Sequence, residues 1–115
     1  MANIGIFDSG AGGLSVFREI RKVLPDEDYI YYSDSANCPY GEKTVEFIID
    51  RCRQITEFLI NEGVEIIVVA CNTATAAAIR TLREEYPIKL IGTEPAIKPA
   101  APLTRTGIVG VLATA

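Results

Sequence analysis

The sequence predicts an α/β fold. The expected core is an open parallel sheet with helices on both faces, in the order βαβαβαβ, followed by the first strand of a truncated second α/β domain. Three observations carry this expectation. Short apolar runs alternate with segments of helical periodicity. The run Val64–Ala70 is apolar almost throughout, as in a strand covered on both faces. Glycine or proline stands at the junctions, at Gly10–Gly13, Pro25, Gly63 and Pro87.

Each element has its own justification. Ala2–Phe7 reads as a buried strand, and Asp8–Gly13 as a glycine-rich turn. Leu14–Leu24 reads as a helix with Phe17, Ile20 and Leu24 at helical spacing, stopped by Pro25. Asp28–Ser33 is rich in aromatic and β-branched residues and reads as a second strand, followed by a loop from Asp34 to Lys43. Thr44 is a plausible N-cap for the next helix. There Val45, Ile48, Ile49, Cys52, Ile55 and Leu59 form one apolar stripe, and Gly63 suits the stop. Thr73–Tyr86 reads as an alanine-rich third helix and Ile88–Gly92 as a fourth strand.

After Glu94 the character changes. Pro95, Pro99 and Pro102 read as a connector, and Gly107–Leu112 as a further buried strand with no helix to cover it. The expected division is an incomplete N-terminal α/β domain over 1–98, then over 99–115 a connector and the first strand of a second domain. A βα pattern does not naturally stop there, so the chain is expected to be a piece of a longer one.

Composition narrows the function. A chain of 115 residues, 49% apolar, fits one domain with a real core. Its net charge is −4 and its basic residues are scattered, which argues against nucleic acid as a partner. No apolar run reaches the ~20 residues of a membrane helix, so no membrane partner is expected. Polar residues and glycines interrupt the first apolar stretch, so no signal peptide is expected and the cytoplasm is the expected compartment. Three cysteines and no histidine exclude a complete disulfide framework and any Cys–His pair within these residues. Cys38, Cys52 and Cys71 also lack zinc-site spacing, so no metal is expected.

In open parallel sheets ligands bind at the carboxyl ends of the strands. Read there, the sequence offers Asp8-Ser9-Gly10, Cys38-Pro39-Tyr40-Gly41, Cys71-Asn72-Thr73 and Thr93-Glu94-Pro95. Cys71 is the sharpest candidate, because a helix N-terminus favours a thiolate. The competing reading is a buried structural cysteine. Cys52, on the apolar stripe, reads as core, and Cys38 as an inert loop thiol. Asp8 with the glycine turn suits either an anion site at a helix start or an ordinary N-cap. Asn72 and Thr73 read as helix caps or as donors to a bound carboxylate. Tyr40 and Gly41 read as a pocket wall or a turn. Glu94 reads as a solvated carboxylate, and Arg51-Cys52-Arg53 and Arg83-Glu84-Glu85 as solvated helix faces.

Five segments in order resemble glutamate racemases: Ile4–Leu14 (IGIFDSGAGGL), Pro39-Tyr40-Gly41, Ala70–Ala74 (ACNTA), Glu94–Ala100 (EPAIKPA) and Gly110–Thr114 (GVLAT). The resemblance runs along the whole chain. It implies interconversion of L- and D-glutamate for peptidoglycan synthesis, with neither pyridoxal phosphate nor metal. It implies two cysteines on opposite sides of the α-carbon, Cys71 being the N-terminal one. Asp8 matches an acidic residue that assists it. Asp8, Ser9, Tyr40, Gly41, Asn72 and Thr73 match substrate-binding positions. The second cysteine of that family, with its histidine, lies in a C-terminal half for which this chain has no counterpart, so the isolated chain is expected to be inactive. A homodimer could in principle bring two copies of Cys71 together. Two alternatives stand beside this reading: another racemase of the aspartate/glutamate superfamily, or a non-catalytic carboxylate-binding module that retains the half-site.

Overall fold

A computed structural model describes residues 3–10, 13–93, 106 and 108. Four strands and three helices alternate: β1 (Asn3–Asp8), α1 (Gly13–Val23), β2 (Asp28–Ser33), α2 (Val45–Asn61), β3 (Ile66–Val69), α3 (Asn72–Glu85) and β4 (Lys89–Gly92). Two short 3-10 turns, Ser35–Asn37 and Tyr40–Glu42, break the loop after β2. The strands form one parallel sheet in the order β2-β1-β3-β4. The expected α/β class and parallel sheet therefore hold. The connector, the strand expected at Gly107–Leu112 and the acidic position Glu94 lie outside the described residues, except that Ile108 is exposed.

The two faces of the sheet follow from alternation along each strand. Ile4, Ile6, Val68 and Ala70 point to the α1 side, where Val16, Phe17 and Ile20 pack with Tyr29 and Tyr31. Phe7, Ile67, Val69 and Leu90 point to the other side, against Ile48, Cys52, Ile55 and Leu59 of α2 and Ala74, Ala78 and Leu82 of α3. The second face is the larger core. Val45, expected on the apolar stripe, is instead exposed at the first residue of α2.

Helix ends are set by local chemistry. The Thr44 hydroxyl accepts from the Phe47 amide at 3.1 Å, the expected N-cap. At the other end of α2, Gly63 adopts φ +90°. Its amide donates to the Ile60 carbonyl and the Val64 amide to the Leu59 carbonyl, a Schellman closure. Strand β3 is shorter than the apolar run that announced it, because Val64 is spent on that closure. The third helix starts at Asn72, one residue before the expected Thr73, because Cys71 itself is the N-cap.

Candidate active site

The strand order reverses direction between β1 and β3, since β2 lies on one side of β1 and β3 on the other. A crevice outside the carboxyl ends at such a switch point is where open α/β sheets bind ligands. Asp8 ends β1, with Ser9 and Gly10 beyond it. Ala70 and Cys71 follow β3, and the Ala70 amide donates to the Phe7 carbonyl at 2.8 Å, keeping the two strand ends together. Ser9 and Cys71 therefore meet at the carboxyl rim of the switch point.

The Cys71 sulfur lies 3.5 Å from the Ser9 hydroxyl oxygen, its thiol donating. On its other side it accepts from the Ala74 amide at 3.5 Å. Cys71 has extended backbone, φ −143° and ψ 123°, as an N-cap requires. The Ala74 amide at the helix start thus points at a sulfur that is only half buried. Asn72, exposed, and Thr73, half-buried, continue from it into α3.

The first junction is filled differently. Asp8 is 1% exposed. Its carboxylate accepts from the Gly10 amide at 2.8 Å, from the Gly13 amide at 2.9 Å and from the Tyr31 hydroxyl. The sequence left Asp8 open between cap and anion site. Here the carboxylate is itself the anion at the start of α1, and the described glycine amides are turned to it. A side chain at Gly13 would run into Asp8 and Tyr31, so glycine is required there by close approach. Gly10 is required by its φ of +119° and lies against Cys38. Burial, then the bond to Asp8, pushes the Tyr31 phenol well above the usual tyrosine range.

Tyr40 and Gly41 part company. Gly41 is exposed, in a turn that lies against α3. Tyr40 is buried in the larger core, and its hydroxyl donates to Asp34. Burial and the bond to Asp34 raise its phenol far above the usual range. The exposed Cys38 sits at the rim beside Gly10. Cys52 is fully buried on α2, and burial pushes its thiol up to about 12, so it is the inert one.

One expectation needs correction. Arg51 is not a solvated residue: it makes a two-pronged ion pair with the buried Asp34, Nε to Oδ2 at 2.9 Å and Nη2 to Oδ1 at 2.8 Å. Arg83 is exposed, as a solvated face requires, and its guanidinium also donates to the Leu90 carbonyl of β4 at 3.1 and 3.3 Å. Arg53 is more exposed than Arg51 and pairs with Glu85 and Asp50. Sequence reasoning also missed Asp34, Tyr31 and Thr75, while Thr93 was among the strand-end residues it offered. Thr93 donates its hydroxyl to the Val69 carbonyl at 2.9 Å and its amide to Thr75 at 3.0 Å, fastening the end of β4 to that of β3. A signal for Arg51 existed: it lies three residues after Ile48 and four before Ile55, both buried, so helical spacing sets it beside the stripe.

Among the described residues no group of His, Cys, Asp and Glu is arranged to hold a metal ion, and no helix is long and apolar enough to cross a membrane.

Comparison with known proteins is consistent with this geometry. The glutamate racemase of Ectopseudomonas mendocina is 59% identical over 114 residues, covering 98% of this chain and 43% of the relative. That of Pseudomonas aeruginosa is 58% identical over the same length. The chain thus spans less than half the length of these relatives. Among solved structures, Escherichia coli glutamate racemase in complex with L-glutamate and the activator UDP-MurNAc-ala is 46% identical with a TM-score of 0.84, covering 92% of this chain and 40% of that one. Francisella tularensis glutamate racemase in complex with D-glutamate is 38% identical with a TM-score of 0.76, covering 89% and 38%. The family pattern described as Asp/Glu/Hydantoin racemase matches residues 4–115. The chain belongs to the Asp/Glu/Hydantoin racemase family.

Proposed function

We propose that these residues form the N-terminal half of a glutamate racemase active site, in which Cys71 is one of two thiols that exchange the α-proton. The observation that carries the reading is the Cys71 sulfur at the start of α3, 3.5 Å from Ser9 at the switch point of the sheet. The similarity to glutamate racemases solved with each enantiomer supports glutamate as the substrate.

The chemistry needs little beyond these groups. In one direction the Cys71 thiolate takes the α-proton and becomes a thiol. An opposing thiol then gives its proton to the other face and becomes the thiolate. Two opposed thiols invert the centre, whereas one base would return the proton to the face it left. The developing carbanion needs donors around the substrate carboxylate. Ser9, Asn72, Thr73 and Gly41 are the accessible candidates. Asp8 and Tyr40 contribute from beneath, Asp8 by holding the Ser9–Gly10 turn and Tyr40 by seating its loop. The opposing thiol belongs to the part of the relatives that this chain does not span. Production of D-glutamate for peptidoglycan would place the reaction in the cytoplasm.

Protection of Cys71 from alkylation tests the reading. L-Glutamate and D-glutamate should both slow labelling of Cys71 while leaving Cys38 unaffected. Protection by aspartate in preference to glutamate would favour a sister racemase. No protection by either acid would sink the proposal for this chain. Binding of glutamate without α-proton exchange in deuterated water is the result expected of a half-site.

A further inference from the structure

Asp34 follows β2 and is 4% exposed. It opens the segment that carries Tyr40 and Gly41. Its backbone amide donates to the Asp8 carbonyl at 3.1 Å, joining the segment to the end of β1. From there the backbone closes on itself in local turns: Asn37 to Asp34, Cys38 to Ser35 and Lys43 to Tyr40. Such turns shape a loop but do not dock it. Docking falls to side chains: Tyr40 is buried in the larger core, and the Asp34 carboxylate ties the segment to α2. That carboxylate accepts from the Tyr40 hydroxyl, from the Asn37 amide group at 3.0 Å and from both prongs of Arg51. Arg51 is in turn held on α2 by Gln54 at 2.7 Å, with the Tyr32 hydroxyl at 3.5 Å.

We propose that Arg51 is a positioning residue, which through its forked ion pair with Asp34 holds the Asp34–Glu42 segment, and with it Tyr40 and Gly41, at the carboxyl rim where the substrate amino acid binds. The inference rests on the functional reading above and deepens it by naming what sets the substrate loop. A fork is needed because one carboxylate must stay oriented towards Arg51, Tyr40 and Asn37 at once, and a planar guanidinium meeting both oxygens fixes that orientation where a point charge does not. A buried ion pair is in general weak evidence for stability. This one joins a helix to a loop whose backbone bonds beyond Asp34 are local, which is a placing role.

The test uses the 115-residue chain with Arg51→Gln, Arg51→Lys and Asp34→Asn variants, followed by amide hydrogen exchange. The loop amides of Asn37, Cys38 and Lys43 report on the segment, and those of Glu65 and Ala70 on the sheet. In Arg51→Gln the loop amides should exchange about tenfold faster relative to the sheet amides, because a charge-assisted anchor is gone while the core is intact. Arg51→Lys, which keeps charge without the fork, should fall between. Equal acceleration of loop and sheet amides, or none in the loop, would overturn the proposal. If Arg51→Gln does not fold, Arg51→Lys and Asp34→Asn carry the same comparison. L-Glutamate added to each protein is the second readout. It should perturb the Ser9, Gly41 and Asn72 resonances of the unaltered chain, and Arg51→Gln should lose the Gly41 response first. Absence of any response in the unaltered chain would count against the functional reading, while the exchange ratios still decide whether Arg51 holds the loop.

Discussion

Two strand-to-helix junctions meet at the switch point, and they solve the same problem with opposite consequences. Both must satisfy backbone amides at a helix start. At the β1–α1 junction a buried carboxylate, Asp8, takes the Gly10 and Gly13 amides and the Tyr31 hydroxyl. At the β3–α3 junction a thiol, Cys71, takes one amide at 3.5 Å and remains half open to the crevice. A carboxylate with three donors is a structural anchor. A sulfur with two long bonds, one to Ser9 and one from Ala74, is a looser cap. The difference is one of hold: the carboxylate cap is fixed by three short bonds and the thiol cap is loose.

The largest expected effect concerns activity. Removing one essential acid or base partner typically costs ~10²–10⁴-fold in rate. The 115-residue chain alone should therefore not measurably racemise glutamate, read as circular dichroism of an L-glutamate solution beside a Cys71→Ala control. Loss of signal that depends on Cys71 would instead make a dimer with two opposed copies of Cys71 the better account.

Thiol reactivity sharpens the contrast next. At neutral pH Cys71 should alkylate at least ~10²-fold faster than the buried Cys52, whose thiol is pushed up to about 12. Mass-spectrometric mapping of folded protein reads this directly. Faster labelling of Cys52 would mean that the helix packing described here is wrong.

Stability should separate the junctions. Asp8→Ala leaves buried donors without a partner and should cost roughly 2–4 kcal/mol, whereas Cys71→Ala removes a weak cap and should cost about 1 kcal/mol or less. Urea midpoints at constant m-value measure both. Comparable losses at the two sites would erase the distinction between anchor and reactive cap.

A smaller effect comes with acid. Burial alone would raise the Asp34 carboxyl, but its bonds from Arg51, Tyr40 and Asn37 outweigh burial and hold it below the usual carboxylate range. A depressed carboxyl adds stability that is fully present above its unfolded value, near pH 4, and is lost as pH falls through the lower folded value. The thermal midpoint should drop in that acidic window, and the drop should shrink in Asp34→Asn. An unchanged pH profile in that variant would remove Asp34 from the account.

Sequence alone determined the order of elements, because apolar periodicity, glycine and proline are local signals: α2 ends where Gly63 permits a left-handed turn, and β2 covers the same Asp28–Ser33 as expected. Cys71 was legible as the sharpest site candidate because it follows an apolar run and precedes a helix. Position at a strand end needs no knowledge of partners. Tertiary structure alone decided what each polar side chain does there. Tyr31 meets Asp8 across 23 residues, Cys71 meets Ser9 across 62, and Arg51 on α2 reaches Asp34 in the loop after β2. Those pairings depend on the lateral order of strands and the tilt of α2 over the sheet. The hydrophobic pattern constrains both only through packing, which is collective. For that reason Arg51 read as solvated in one dimension and became the half-buried partner of Asp34 in three.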